Sequence, residues 1–245
     1  VDYGHEWLGA EQDADGVTSR VRDTATGAES VVRSRWLVAA DGAASPVRRA
    51  LGIALVGPDR LQSFVMIHLE ADFRALVGER PGVLYWTTAP DATGTFVAHD
   101  LGRTWVYMHP FDPDQEAAAD YTPERCATIV RRALGSATAP FAIRTIRTWT
   151  MTAQVAERYR DGRIFLVGDA AHRFPPTGGL GLNTGVQDGH NLAWKLAAVE
   201  AGWAPATLLD TYEAERQPIA QRNADVSLQN AMRLMEVYQA LASID

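Results

Sequence analysis

Gly168-Asp169-Ala170-Ala171-His172-Arg173-Phe174-Pro175-Pro176-Thr177-Gly178-Gly179-Leu180-Gly181-Leu182-Asn183 is the most heavily constrained stretch of this 245-residue chain. It follows a short apolar run, Arg163 to Val167, that reads as a buried strand. It precedes apolar positions Leu182, Val186, Leu192, Leu196 and Val199, whose spacing predicts a helix from about Gly181 to a stop at Gly202. Gly178, Gly179 and Gly181 permit unusual backbone angles and let a planar ligand lie against the main chain, while the free amides of the following helix start favour negative charge. Asp169, at the strand end, is placed to accept a hydrogen bond from a sugar-alcohol hydroxyl. A simple structural turn would not need so many constrained positions in a row.

A second aspartate-glycine pair lies upstream, at Asp41-Gly42-Ala43-Ala44-Ser45-Pro46-Val47-Arg48, again after an apolar run (Trp36 to Ala40) and before a predicted short helix, Val47 to Leu51. An acid, a glycine, a hydroxyl and a guanidinium at a helix start can together hold phosphate or ribose groups. The same residues also suit an ordinary strand-turn-helix, with Ser45 as a cap and Arg48 in solvent. Neither stretch is a G-x-G-x-x-G fingerprint, since after Gly179 and Gly181 the third glycine position holds Thr184 and Gly185 comes one residue late, and no such fingerprint occurs elsewhere.

Between the two pairs the chain changes character. Ser63–Leu69, Gly82–Thr88, Thr95–His99 and Thr104–Pro110 read as strands, with a hairpin turn at Leu101-Gly102, and Phe141–Thr152 is extended. One helix is predicted there, capped by Thr122, with Pro123 at its first position and Gly135 at its end. Val17 to Val32 forms a hairpin around Thr26-Gly27. Pro205–Glu215 and Pro218 to about Ala242 are expected as two helices. The second carries Ala231, Leu234, Tyr238 and Leu241 as a stripe suited to a core or a subunit interface, which leaves room for a homodimer.

Composition narrows the classes. A net charge of −7 argues against nucleic acid as a partner. One cysteine, Cys126, rules out an internal disulfide or a thiolate cluster and fits a reducing cytoplasm, where it reads as a buried bystander. No apolar run is long enough for a membrane span, and no signal pattern opens the chain. Lys195 is the only lysine, a bias toward arginine that a skewed coding composition explains. The six histidines show no metal-type spacing and no Gly-x-Ser-x-Gly elbow occurs, so neither a metal site nor a hydrolase is expected. Val1-Asp2-Tyr3-Gly4 reads as the middle of a sheet, which points to an N-terminally incomplete fragment.

The two motifs, with Asp41 and Asp169 standing 128 positions apart around a sheet-rich block, resemble the single-component (class A) flavin-dependent aromatic hydroxylases related to p-hydroxybenzoate hydroxylase, nearest the phenol and polyketide hydroxylase branch. The resemblance implies a mixed α/β fold, with part of a doubly wound FAD-binding domain (1–60 and 153–204), an inserted, mostly antiparallel β-sheet substrate domain (61–152) and C-terminal helices (205–245). It assigns FAD contacts to Asp41, Gly42, Ser45 and Arg48 near the pyrophosphate, and to Gly168, Asp169, Pro176, Gly179, Gly181, Leu182 and Asn183 around the ribityl and flavin portions. It further implies reduction of the flavin by NADPH or NADH, addition of dioxygen at flavin C4a, and oxygen delivery from that hydroperoxide to a phenolic or polyketide ring, with no side-chain nucleophile. Substrate-pocket candidates on the sheet are His68, Tyr85, His99, Tyr107 and Trp149, each equally readable as packed aromatic or surface histidine. His172 reads as a residue shaping the loop rather than a base. The family's G-x-G-x-x-G segment has no counterpart here, and Leu180 stands where many relatives have a polar residue. A flavin-dependent epoxidase or reductase of related fold, or a flavin-free non-catalytic homologue, are the competing readings.

Overall fold

The computed structural model describes residues 1–242. The chain forms two compact units, Val1–Pro58 with Ala153–Ala231, and Asp59–Thr152 with the chain from Met232 onward. The first segment of unit one begins with an antiparallel meander of β1 (His5–Gln12), β2 (Val17–Asp23) and β3 (Glu29–Ser34). The β2–β3 hairpin turns through Gly27 at φ 75°, where Asp23 accepts hydrogen bonds from the Ala25 and Thr26 amides. Then follow β4 (Leu37–Ala39), α1 (Pro46–Ala50) and β5 (Leu55–Val56).

Unit two is one five-stranded antiparallel sheet: β6 (Gln62–Glu70), β7 (Leu84–Thr87), β8 (Gly94–Asp100), β9 (Thr104–Phe111) and β10 (Ala142–Met151), in the order β10-β6-β9-β8-β7. Two helices accompany it, α2 (Arg74–Val77) and α3 (Pro123–Leu134). The strict alternation of burial along β6 separates two faces. Val65, Ile67 and Leu69 join Phe96, Trp105, Tyr107, Cys126, Ile129 and Val130 in the core. The sequence signals for α3 hold in detail: Thr122 Oγ1 accepts from the Arg125 amide, Pro123 is the first helical residue, and Gly135 closes the helix at φ 62°. Only glycine adopts that left-handed angle without a Cβ penalty. Gly135→Ala is therefore expected to cost about 1 kcal/mol, read from the urea midpoint; no change would show the cap to be dispensable.

The chain returns to unit one with β11 (Gln154–Ala156), β12 (Arg160–Asp161), β13 (Ile164–Leu166) and β14 (His172–Arg173), then α4 (Leu180–Glu200) and α5 (Thr211–Ala242). β13 pairs in parallel with β4, Leu166 opposite Ala39, and Val167 extends the ladder by donating to the Ala39 carbonyl at 3.0 Å. Ile164, Phe165 and Leu166 are buried with Leu192, Leu209, Tyr212, Ala220 and Ala224 from the helical segments.

Two expectations are corrected. Pro218 does not separate two helices: Ala206–Asp210 is a short 3-10 turn, and α5 runs straight through the proline. Neighbouring side chains anchor the helix there, since Gln217 Nε2 donates to the Ala156 and Glu157 carbonyls and Glu213 accepts from the Tyr159 amide. These tertiary bonds offset the one helical bond that proline removes. The predicted apolar stripe of α4 also slips. Leu192 is buried and Leu196 and Val199 pack against the core, but Leu182 and Val186 are 81% and 64% exposed. The buried line in that half of the helix is Thr184 and Asp188, a polar row that a search for apolar periodicity passes over. In the stripe expected on α5, Ala231 is buried and Leu234 half-buried, while the side chains of Tyr238 and Leu241 lie outside the described residues.

Candidate functional site

Because β4 and β13 are parallel neighbours in register, the two aspartate-glycine turns leave the sheet side by side at the carboxyl ends of their strands. That end of an open α/β sheet is where ligands bind. Gly42 (φ 79°) and Gly168 (φ 58°) both need left-handed backbone. Gly168 opens a single 3-10 turn through Ala170, and Gly185 of α4 packs on it so closely that a Cβ there would lie 3.1 Å from the Gly168 Cα. Gly178 (φ 127°) and Gly179 (φ 66°) then turn the chain into α4, whose start has no side-chain cap. A Cβ built on Gly42 or Gly179 would meet nothing within 4 Å, so the backbone at both turns borders open space. The first amides of α4 are thus left to solvent or a ligand.

The upstream motif is a capped strand-turn-helix, but Arg48 departs from the solvent position that reading gave it. Ser45 is buried and caps α1, its Oγ accepting from the Arg48 amide at 2.9 Å, and Asp41 accepts from the Val47 amide at 3.0 Å. Arg48, by contrast, is not in solvent: it is 6% exposed and donates to the Ala170 carbonyl at 3.1 Å, tying the first turn to the second. Arg173, on β14, donates to Gln154 Oε1 on β11, and its Nε is buried without a partner. Neither guanidinium has an ion-pair partner among the described residues. Burial lowers the proton affinity of both, and repulsion from Arg173 adds to the effect at Arg48. Two desolvated cations beside two glycine turns favour a ligand carrying negative charge.

Asp169 is exposed at the turn, as are Pro176, Gly179, Leu182 and Asn183, with Gly168 and Gly181 half-covered. Asn183 Nδ2 donates back to the Gly179 carbonyl at 2.9 Å, which steadies the first turn of α4. His172 is buried, stacked at 5.2 Å on Phe174, with its Nε2 2.6 Å from Asp188.

In unit two the candidate pocket residues divide. Tyr107 is fully buried in the core, its hydroxyl donating to the Ala92 carbonyl at 2.6 Å. Tyr85 packs on Trp105 at 5.6 Å against the same core, and the Gly82 amide donates to its hydroxyl. Strand alternation turns both residues toward this core. His99 is exposed at a register shift in β8. His68 and Trp149 lie on the opposite, open face, where cross-strand register assembles Trp149, Phe64 and Pro110 in one row and Arg147, Met66, Met108, Thr95 and Trp86 in the next. Phe64 and Trp149 stack at 5.7 Å. Phe64, Met66, Trp86 and Met108 went unremarked in the sequence because their common face appears only once the strands are in register.

Asp188, Arg216 and Arg173 were likewise not anticipated. Asp188 Oδ1 accepts from Arg216 Nε at 2.8 Å, and its Oδ2 accepts from the Gly168 amide at 3.3 Å as well as from His172. The buried Nζ of Lys195 lies 2.8 Å from Glu215, joining α4 to α5. Among the described residues no group of three or more histidine, cysteine or acidic side chains could hold a metal, and no helix is long and apolar enough to cross a membrane.

This arrangement defines a mixed α/β protein that presents glycine turns, a buried arginine and a half-buried one for an anionic, flat cofactor, joined in sequence to an antiparallel sheet with an open aromatic face. Residues 1–227 match the FAD binding domain family, and the chain belongs to that family. It is 41% identical over 233 residues to tetracenomycin A2 monooxygenase-dioxygenase of Streptomyces glaucescens, covering 92% of this chain and 42% of that protein. With aklavinone 12-hydroxylase of Streptomyces peucetius the identity is 44% over 229 residues, covering 93% and 47%. A solved structure of the flavin-dependent monooxygenase PieE in complex with FAD and substrate superposes with a TM-score of 0.88 at 39% identity, over 97% of this chain and 42% of that one. The chain thus spans less than half the length of the curated relatives it matches.

Proposed function

We propose that this chain is the flavin-holding and ring-binding part of an FAD-dependent, NAD(P)H-using monooxygenase that hydroxylates a phenolic or polyketide aromatic ring. The observation that carries the reading is the convergence of the Asp41-Gly42 and Gly168-Asp169 turns at the ends of adjacent parallel strands, with Arg48 bonded from one to the other. The residues present fit FAD. The glycines at 42 and 179 leave main chain accessible to a flat ring system, and buried Arg48 and half-buried Arg173 supply positive charge for a pyrophosphate or a reduced ring. Asp169, exposed at the turn, would accept from a ribityl hydroxyl, and the uncapped amides at Gly181, Leu182 and Asn183 would stabilise negative charge on a bound flavin ring.

Bound FAD supplies the redox and oxygen chemistry, and the chain supplies position, charge and exclusion of water. Unit one (Val1–Pro58 with Ala153–Ala231) holds the cofactor. Unit two offers the open sheet face, where Phe64, Met66, Met108, Trp86 and Trp149 give an aromatic substrate an apolar platform and His68 is the titratable group beside it. The relatives' activities, a tetracenomycin A2 monooxygenase-dioxygenase and an aklavinone 12-hydroxylase, support a fused-ring substrate. The test is product analysis under labelled dioxygen in the full-length protein. One labelled oxygen in a new ring hydroxyl, with nicotinamide oxidation accelerated by phenols or polyketide aromatics, is expected. Label in an epoxide, or no acceleration across a broad aromatic panel, would overturn the hydroxylase reading.

A further inference from the structure

Asp188 sits in the middle of α4, fully buried, and three donors, two from the Gly168–Arg173 segment and one from α5, meet on its two oxygens. The Gly168 amide comes from the first residue of the turn, His172 Nε2 from the segment's far side, and Arg216 Nε from α5. Arg216 is itself 8% exposed and reaches the Thr184 carbonyl and Gln187 Oε1, both at 3.4 Å. Asn223, also on α5, donates to Thr184 Oγ1 at 2.9 Å. A carboxylate only accepts, so the proton on the 2.6 Å contact belongs to His172 Nε2. Nδ1 is left buried without a hydrogen-bond partner. The ring lies near-parallel to both Phe174 and Tyr159, with interplanar angles of 13° and 27°.

We propose that Asp188 is a positioning residue that clamps the Gly168–Arg173 segment at both ends and makes its shape depend on Arg216 of α5. The proposal rests on the reading of that segment as the flavin-facing loop, and it adds a control point that touches no ligand. Asparagine at 188 has one acceptor oxygen, and its amide group turns a donor either toward Arg216 or toward both the Gly168 amide and His172 Nε2. One arm of the clamp must open. The arms on the loop are the weaker ones, because Arg216 keeps its charge-assisted claim on the remaining oxygen.

The measurement is amide hydrogen exchange of the full-length, flavin-free protein, comparing wild type with Asp188→Asn and Arg216→Lys. Exchange across 168–174 is expected to rise at least tenfold in Asp188→Asn while 164–166 in β13 stays as it was. Arg216→Lys, which keeps the charge but loses the planar fork, should show the same pattern more weakly and serves if the first variant does not fold. Unchanged exchange at 168–174, or an equal rise in both stretches, would overturn the clamp. FAD titration of the same variants separates the two ideas: affinity at least tenfold weaker is expected. A loosened loop with unaltered FAD affinity would leave the clamp standing and overturn the assignment of the loop to the flavin.

Discussion

Asp188→Ala is expected to destabilise the protein by about 3 to 5 kcal/mol, because it leaves the Arg216 guanidinium buried without its carboxylate. The Gly168 amide and His172 Nε2 lose their acceptor in the same step. The weaker contacts of Arg216 to Thr184 and Gln187 are to neutral oxygens and cannot neutralise it. In thermal unfolding, roughly 2 to 4 °C is lost per kcal/mol for a chain of this size. The double variant Asp188→Ala with Arg216→Met should recover part of the loss, since removing both members of a buried pair costs less than stranding one. A single-variant loss under about 1 kcal/mol, or a double variant no better than the single, would mean that water reaches Arg216 and the network is not desolvated.

The contrast between Asp188 and the two aspartates of the motifs shows what sequence reading can and cannot reach. Asp41 and Asp169 announce themselves by local context, each followed or preceded by glycine at the end of an apolar strand, and the fold places both at the carboxyl ends of paired strands. The α3 cap, the strands of the sheet and the hairpin turns are likewise local, so short-range propensity and turn chemistry suffice to find them. Asp188 carries no such signal. Its partners are 16, 20 and 28 positions away, and in the sequence it is one polar residue inside a helix whose apolar period seemed to run through Leu182 and Val186. Only the buried spacing Thr184, Asp188, Leu192, Lys195 reveals the true inward face, and polar residues at core positions defeat a search for hydrophobic periodicity.

The same distinction explains the sheet. Tyr85 and Tyr107 drew attention as aromatics with hydroxyls, yet a strand alternates sides at every residue, and choosing the open side needs the cross-strand register. Phe64, Met66 and Met108 look like ordinary core residues until they are seen opposite Trp149, Arg147 and Thr95 on the half-exposed face. Pro218 misleads in the other direction. Its local effect is to break a helix, and long-range bonds from Gln217 and Glu213 override it.

Asp169→Ala should behave in the opposite way to Asp188→Ala. Asp169 is exposed at the turn, so its loss is expected to leave stability within about 0.5 kcal/mol. Its effect should fall on the ligand, because a charge-assisted hydrogen bond to a ribityl or ribose hydroxyl contributes roughly 1.5 to 3 kcal/mol. That corresponds to FAD binding weaker by about ten- to a hundredfold in the full-length protein. Asp169→Asn keeps an acceptor but not the charge and should fall between the two. Part of the loss has a second physical origin, since the Asp169 charge also supports the nearby Arg173 guanidinium, which burial works against. Flavin titration after exhaustive dialysis measures both variants. Retention equal to wild type would remove Asp169 from the cofactor's reach, and a large loss of stability would place it among the structural aspartates with Asp188.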